Sequence, residues 1–163
     1  MKLETQRISP APIRKSSRVK ASQQRAFDVF VGQMGQWWLK SHSLLKSPQK
    51  DVIVEPREGG RWFEVGDDGS EQEWGRVLKW SPPDQVVLAW HLNADWAYDP
   101  EFETTVEVHF VADGDHTLVE FEHRDLERFG LRAEELRGSY ESGMEGGWAA
   151  LLDQYRQTTE ASG

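Results

Sequence analysis

The chain has 163 residues, no cysteine and a formal net charge of −9. A chain of this length fits one domain and buries about 70% of its unfolded surface, enough for one core. The missing cysteine excludes disulfides, thiolate metal sites and a cysteine nucleophile, and the acidic balance opposes binding to a phosphate backbone. No apolar run approaches the ~20 residues that span a bilayer, and the N-terminus lacks the apolar stretch of a secretory signal. The expectation is a cytoplasmic protein with no nucleic-acid partner and no membrane span.

Residues 1–12 are polar, carry two prolines and read as a tail, leaving 13–163 as one domain. Ile13 to Lys20 is a basic strand. With Lys2, Arg7 and Arg25, its cations make this end locally basic, which reads as a solvated edge. Ser22 is a good N-cap for a helix whose apolar face is Ala26, Phe27, Phe30, Val31 and Met34. Gly32 and Gly35 weaken its end. Trp37 and Trp38 follow on a short second helix, and Ser41 to Lys50 reads as a loop.

The period then changes to two. Strands are predicted over Asp51–Glu55, Arg61–Val65, Glu73–Trp80, Gln85–Asn93, Glu103–Ala112 and His116–His123. Turn residues separate them: Gly59-Gly60, the Gly66 to Gly69 cluster and Ser81-Pro82-Pro83-Asp84. A polar and aromatic excursion, Ala94 to Pro100, interrupts the series. The last hairpin turns at Gly114-Asp115. Pairing Asp113 with His116 sets Phe110 against Val119, Val108 against Phe121 and Val106 against His123, so every apolar residue falls on one face. Glu107, His109, Glu120 and Glu122 fall on the other, solvated face. Val86, Leu88, Trp90 and Leu92 extend the apolar face. This register puts His123 inside and His91 and His109 outside. At the end of the chain, Trp148, Leu151, Leu152 and Tyr155 recur at i, i+3, i+4 and i+7, the apolar stripe of a helix over residues 142–158. Ser142 and Glu145 have the spacing of a capping box.

Several stretches together carry a family resemblance. They are Arg18-Val19-Lys20-Ala21-Ser22 leading into Ala26-Phe27, Trp37-Trp38, and Pro56-Arg57-Glu58-Gly59-Gly60-Arg61-Trp62. Gly75-Arg76-Val77-Leu78 with Pro82-Pro83, Val87-Leu88-Ala89-Trp90, and Gly147-Trp148 before Leu151-Leu152 complete the set. In this order they resemble the START-like, or SRPBCC, superfamily, and within it the branch named after the heat-shock-protein ATPase activator homologues. Asp95-Trp96 to Asp99-Pro100 and His123 to Arg128 are similar to one bacterial subgroup of that branch. The resemblance implies an α+β helix-grip fold, a curved antiparallel sheet wrapped around a long C-terminal helix. It also implies a cavity under that helix.

The chemistry-bearing residues are few. His91, Asp95 and Asp99 match no zinc spacing, so no metal is expected. Ser139 and Ser142 show no nucleophile elbow. Gly59-Gly60 and Gly146-Gly147 lack phosphate-loop context, and no cofactor is expected. The leading expectation is a small apolar or amphipathic ligand held between sheet and helix. Its walls would be Phe63, Trp90, Val108, Phe121, Trp148, Leu152 and Tyr155, with His123 as the polar group. No catalytic residue is assigned. A polyketide cyclase-like enzyme is the second reading and would need an inward acid–base pair, for which only His123 and Glu103 offer themselves. A chaperone-associated interaction module is the third, and a second copy of the chain is a further candidate partner.

Overall fold

In the computed structural model, residues 12–93, 95–132 and 147–161 are described. Strand β1 (Ile13–Val19) leads to helix α1 (Gln23–Gly32), the short helix α2 (Met34–Trp37) and a 3₁₀ turn (Lys40–His42). Six strands follow: β2 (Gln49–Val54), β3 (Arg61–Gly66), β4 (Glu71–Ser81), β5 (Gln85–Trp90), β6 (Thr104–Asp113) and β7 (His116–Arg124). A 3₁₀ segment (Leu126–Arg132) and the C-terminal helix α3 (Gly147–Ala161) complete the described residues. The strands form one antiparallel sheet in the order β1-β7-β6-β5-β4-β3-β2. It curls into a half-barrel, and α3 lies against β1, α1 and α2. This is the expected helix-grip arrangement.

Local chemistry explains the elements. Ser22 caps α1, its hydroxyl accepting the Arg25 N–H at 3.2 Å. The α1 face of Ala26, Phe27, Phe30 and Val31 is buried, as its periodicity requires. The last hairpin has the predicted register from Asp113↔His116 through Val106↔His123. Val106, Val108, Phe110, Val119, Phe121 and His123 are all buried. Differences lie mostly at element ends. The Ser41–Lys50 stretch contains part of the 3₁₀ turn and the start of β2, and β5 stops at Trp90, leaving Leu92 in an isolated bridge to Tyr98. Helix α3 continues past Thr158 to Ala161. Ser139 and the Ser142–Glu145 capping box lie outside the described residues.

Two side chains depart from the strand pattern. His91 was expected outside with His109. His109 is exposed, but His91 is only 6% accessible. The chain after β5 folds back over it. Its Nδ1 sits 2.7 Å from the Phe102 carbonyl, and the Tyr98 ring packs edge-on at 6.0 Å. A carbonyl only accepts, so Nδ1 carries the proton and donates. Phe63 was expected inside. The β3–β4 register shifts between Trp62 and Phe63, where Trp74 on β4 is the extra residue of a bulge, and β3 itself keeps its alternation. Trp62 and Glu64 take the inward positions. Phe63 is buried but stands outside the core cluster, with the Arg61 guanidinium 3.9 Å above its ring.

The bulge also explains Gly75. It pairs with both Trp62 and Trp90, and a Cβ at this position would lie 1.7 Å from the Ala89 carbonyl oxygen. Adding one methyl would therefore push β5 off β4 beneath two large rings. Gly75→Ala is expected to destabilise the fold by about 3 kcal/mol, read from the shift of the urea unfolding midpoint. A change under about 1 kcal/mol would show that the two strands are not held this closely.

Candidate functional site

The interior side of the sheet is built from aromatic rings in two clusters. The first surrounds α1. Phe27, Phe30, Trp37, Phe110 and Tyr155 meet at centroid distances of 5.1–5.7 Å. Tyr155 is wholly buried here, and its hydroxyl donates to the Ala26 carbonyl at 2.7 Å. Burial pushes its pKa well up, so it is a fixed donor to the α1 backbone.

The second cluster lies between the sheet and the start of α3. Five tryptophans, Trp38, Trp74, Trp62, Trp90 and Trp148, contact one another in a closed circuit. Their centroids are 4.7 Å apart for Trp38–Trp74 and 5.6–5.7 Å for the other four contacts. Four of the five contacts are edge-to-face, the geometry that indole quadrupoles favour. Phe121 adds a ring 4.6 Å from Trp148, and His123 one 5.4 Å from Trp90. Trp37 and Trp38, adjacent on the chain and 5.8 Å apart, join the two clusters.

Polar groups pin this second cluster at two points. The first is Glu64, a carboxylate with no exposed surface. It accepts from Ser43 Oγ at 2.6 Å, Leu44 N at 2.9 Å, and Gln49 Nε2 and Trp74 Nε1 at 3.0 Å. Four donors replace the water that the carboxylate gives up. The second is His123, also fully buried. The Trp148 indole N–H lies 3.1 Å from its Nδ1, and Thr104 Oγ1 lies 2.9 Å from its Nε2. An indole N–H only donates, so Nδ1 must accept. The neutral ring then carries its proton on Nε2 and donates to Thr104. Burial pushes the imidazole pKa down to about 3.

The sequence-derived wall residues therefore separate. Trp90, Phe121, His123 and Trp148 come together. Val108 and Leu152 belong to the same core cluster, Tyr155 sits in the neighbouring ring cluster, and Phe63, though buried, is outside the core cluster. Trp38, Trp62, Trp74 and Thr104 complete the site and were not assigned to it from sequence. Trp37-Trp38 and Trp62 did stand in the family-like motifs, so the signal was present without its direction. Glu103, the other candidate for an acid–base pair, does not reach His123. It is partly exposed and 3.9 Å from His91 Nε2.

The sheet's opposite face is solvated, as its charged alternation predicts. A groove of about 320 Å³ there is lined by Arg14, Glu107, His109, Glu120 and Glu122, among others. Ion pairs such as Arg14–Glu122 and Arg124–Glu107 span it. At this exposure they add little to stability. Among the described residues, no cluster of histidine and carboxylate side chains is arranged to hold a metal. No helix among them is long and apolar enough to cross a membrane.

Comparison with known proteins gives the same architecture. The family model for Activator of Hsp90 ATPase homolog 1-like protein matches residues 20–160. No curated protein sequence matches the chain. Among solved structures, the anthrahydroquino-gamma-pyrone synthase Txn09, complexed with SUM, is 32% identical; the match covers 91% of this chain and 97% of that one, with a TM-score of 0.64. The self-sacrificing resistance protein CalC from Micromonospora echinospora is 30% identical, with 93% and 96% covered and a TM-score of 0.66. The Aha1 dimer from Colwellia psychrerythraea is 15% identical, with 93% and 97% covered and a TM-score of 0.61, and shares the fold.

The buried imidazole makes stability depend on pH. Its folded pKa of about 3 lies below the usual value of 6.5. The unfolded chain therefore takes up this proton first as pH falls. The contribution is constant above pH 6.5 and is lost between 6.5 and 3, by up to about 1.4 kcal/mol per pH unit. His123→Gln keeps an acceptor for Trp148 and a donor for Thr104 but does not titrate. The stability difference between wild type and variant, measured by urea unfolding at pH 7 and pH 4.5, is expected to shrink or reverse at the lower pH. An unchanged difference would mean that His123 is not held neutral.

Proposed function

We propose that this chain, which belongs to the family of Activator of Hsp90 ATPase homolog 1-like proteins, binds a small apolar or amphipathic molecule between its sheet and α3. The observation that carries the reading is the tryptophan circuit. A core needs volume and tight packing, which leucine and valine supply without polar atoms. Five indoles in mutual contact supply broad π surfaces and N–H donors as well, and few positioned polar groups in an apolar wall characterise small-molecule sites. Two relatives at about this level of identity support it: Txn09, complexed with SUM, and CalC, a resistance protein. A cytoplasmic location fits a chain with no cysteine.

Binding is favoured over catalysis by the state of His123. A general base must be near its operating pKa and needs a group to orient it. This imidazole is held neutral, and both its ring nitrogens are engaged, by Thr104 and Trp148. Its role here is to position Trp148.

Native mass spectrometry of the protein purified from its own cells tests the reading. A retained small molecule is expected on the wild type. Trp148→Ala should abolish retention and also cost about 3–5 kcal/mol of stability, because the ring is nearly fully buried. A retained protein in place of a small molecule would turn the reading towards an interaction module. Turnover of a cyclase substrate, lost about 100-fold in His123→Gln while binding persists, would turn it towards an enzyme.

A further inference from the structure

Within the tryptophan circuit, the Trp38 indole differs from those of Trp148, Trp74 and Trp62. Trp148 donates to His123, Trp74 to Glu64, and Trp62 to the Met34 sulfur at 3.3 Å. Trp37, adjacent on the chain to Trp38, donates to the Val29 carbonyl at 3.1 Å. The Trp38 Nε1–H has no hydrogen-bond partner among the described residues, although the residue is only 6% exposed. Its ring is fixed by Trp74 at 4.7 Å and by Trp148 at 5.7 Å, so it does not turn to find water without breaking the circuit. Buried donors in native proteins are almost always met, and one that is not needs a reason.

We propose that Trp38 Nε1–H is the donor that selects the ligand, which is a planar aromatic molecule carrying a carbonyl or similar acceptor. This rests on the ligand-binding reading above and specifies its chemistry. The rings around Trp38 favour a flat π system, because edge-to-face and offset contacts with indoles are worth more than the area they bury. A hydrocarbon satisfies those contacts but leaves the N–H unmet. A guest of the same shape with an acceptor satisfies both. A buried donor discriminates strongly against ligands that leave it unpaired, because the penalty falls on the wrong ligand. A cation would also be drawn to the π faces, but it has nothing with which to accept.

The test compares anthraquinone-2-sulfonate with anthracene-2-sulfonate, which share shape and charge and differ in the two ring carbonyls. Affinities are measured by calorimetry on the wild-type chain and on Trp38→Phe, which keeps an aromatic ring and removes the donor. The quinone-to-hydrocarbon affinity ratio is expected to fall roughly tenfold or more in the variant, with hydrocarbon affinity changing less than about threefold. An unchanged ratio overturns the assignment of Trp38 while leaving the ligand site standing. Failure of both probes to bind the wild type overturns the ligand-binding reading and this inference with it. Should Trp38→Phe not fold, the wild type decides alone. In a ¹⁵N–¹H spectrum of its eight tryptophan indoles, one proton should move downfield with the quinone and not with the hydrocarbon, and absence of any such shift overturns the proposal.

Discussion

The hydrogen bond from the Trp148 indole to His123 Nδ1 is the constraint on which the grip of helix on sheet depends. Hydrophobic contact alone would let α3 slide and rotate over the apolar face, because burial is nearly indifferent to direction. One indole N–H aimed at one imidazole nitrogen fixes both the depth and the azimuth of the helix at its first turn. The second ring nitrogen then reaches Thr104 on the neighbouring strand. One neutral side chain thereby ties together α3, β7 and β6. Its neutrality is required, because a protonated ring would have no lone pair to offer Trp148.

Glu64 solves the opposite problem at the other end of the circuit. A buried carboxylate is tolerated only where donors replace its hydration. Here they come from four separate places: the Ser43 hydroxyl, the Leu44 backbone, the start of β2 and the Trp74 ring. The effect is to pin the connection after α2 against β3, and with it the pair Trp37 and Trp38. Polar atoms thus hold the tryptophans from both sides, through Trp74 on one and Trp148 on the other. The indoles in between meet edge to face, except for the tilted Trp38–Trp74 pair.

How much of this was legible in sequence follows from where the backbone stays regular. In β6 and β7 the alternation is unbroken, so one turn and one pairing fixed every inward residue, His123 included. β3 also alternates, with Trp62 and Glu64 inward and Phe63 on the opposite side, while the extra residue of the bulge, Trp74, lies on β4; no pairing read from sequence said which side of β3 faces the core. The inward Glu64 was hidden for a related reason, since a charged residue in a strand reads as solvent-facing unless its donors are known. His91 lies next to an inward tryptophan and was placed in solvent, but residues up to eleven positions later fold over it. Thr104 carries no signal of its own. Its role exists only because the register sets β6 beside β7. Long-range coverage and bulges are tertiary facts, and local periodicity does not contain them.

The same constraint bears on what the site can do. Acid–base work would ask His123 to gain and lose a proton at its Nδ1 or Nε2. Gaining one breaks the Trp148 bond, and with it the seating of the helix. Chemistry at this position would therefore be coupled to loosening of the fold, whereas ligand recognition makes no such demand. In the ligand-binding reading, a fixed histidine, a fixed carboxylate and the rings held between them preorganise the walls before anything enters. Preorganisation lowers the ordering cost of binding and sharpens discrimination by shape and by hydrogen-bond donors. It offers nothing to proton transfer unless a group near its pKa is present, and two buried groups have been moved away from that condition: the imidazole is held neutral and the Tyr155 hydroxyl is held protonated.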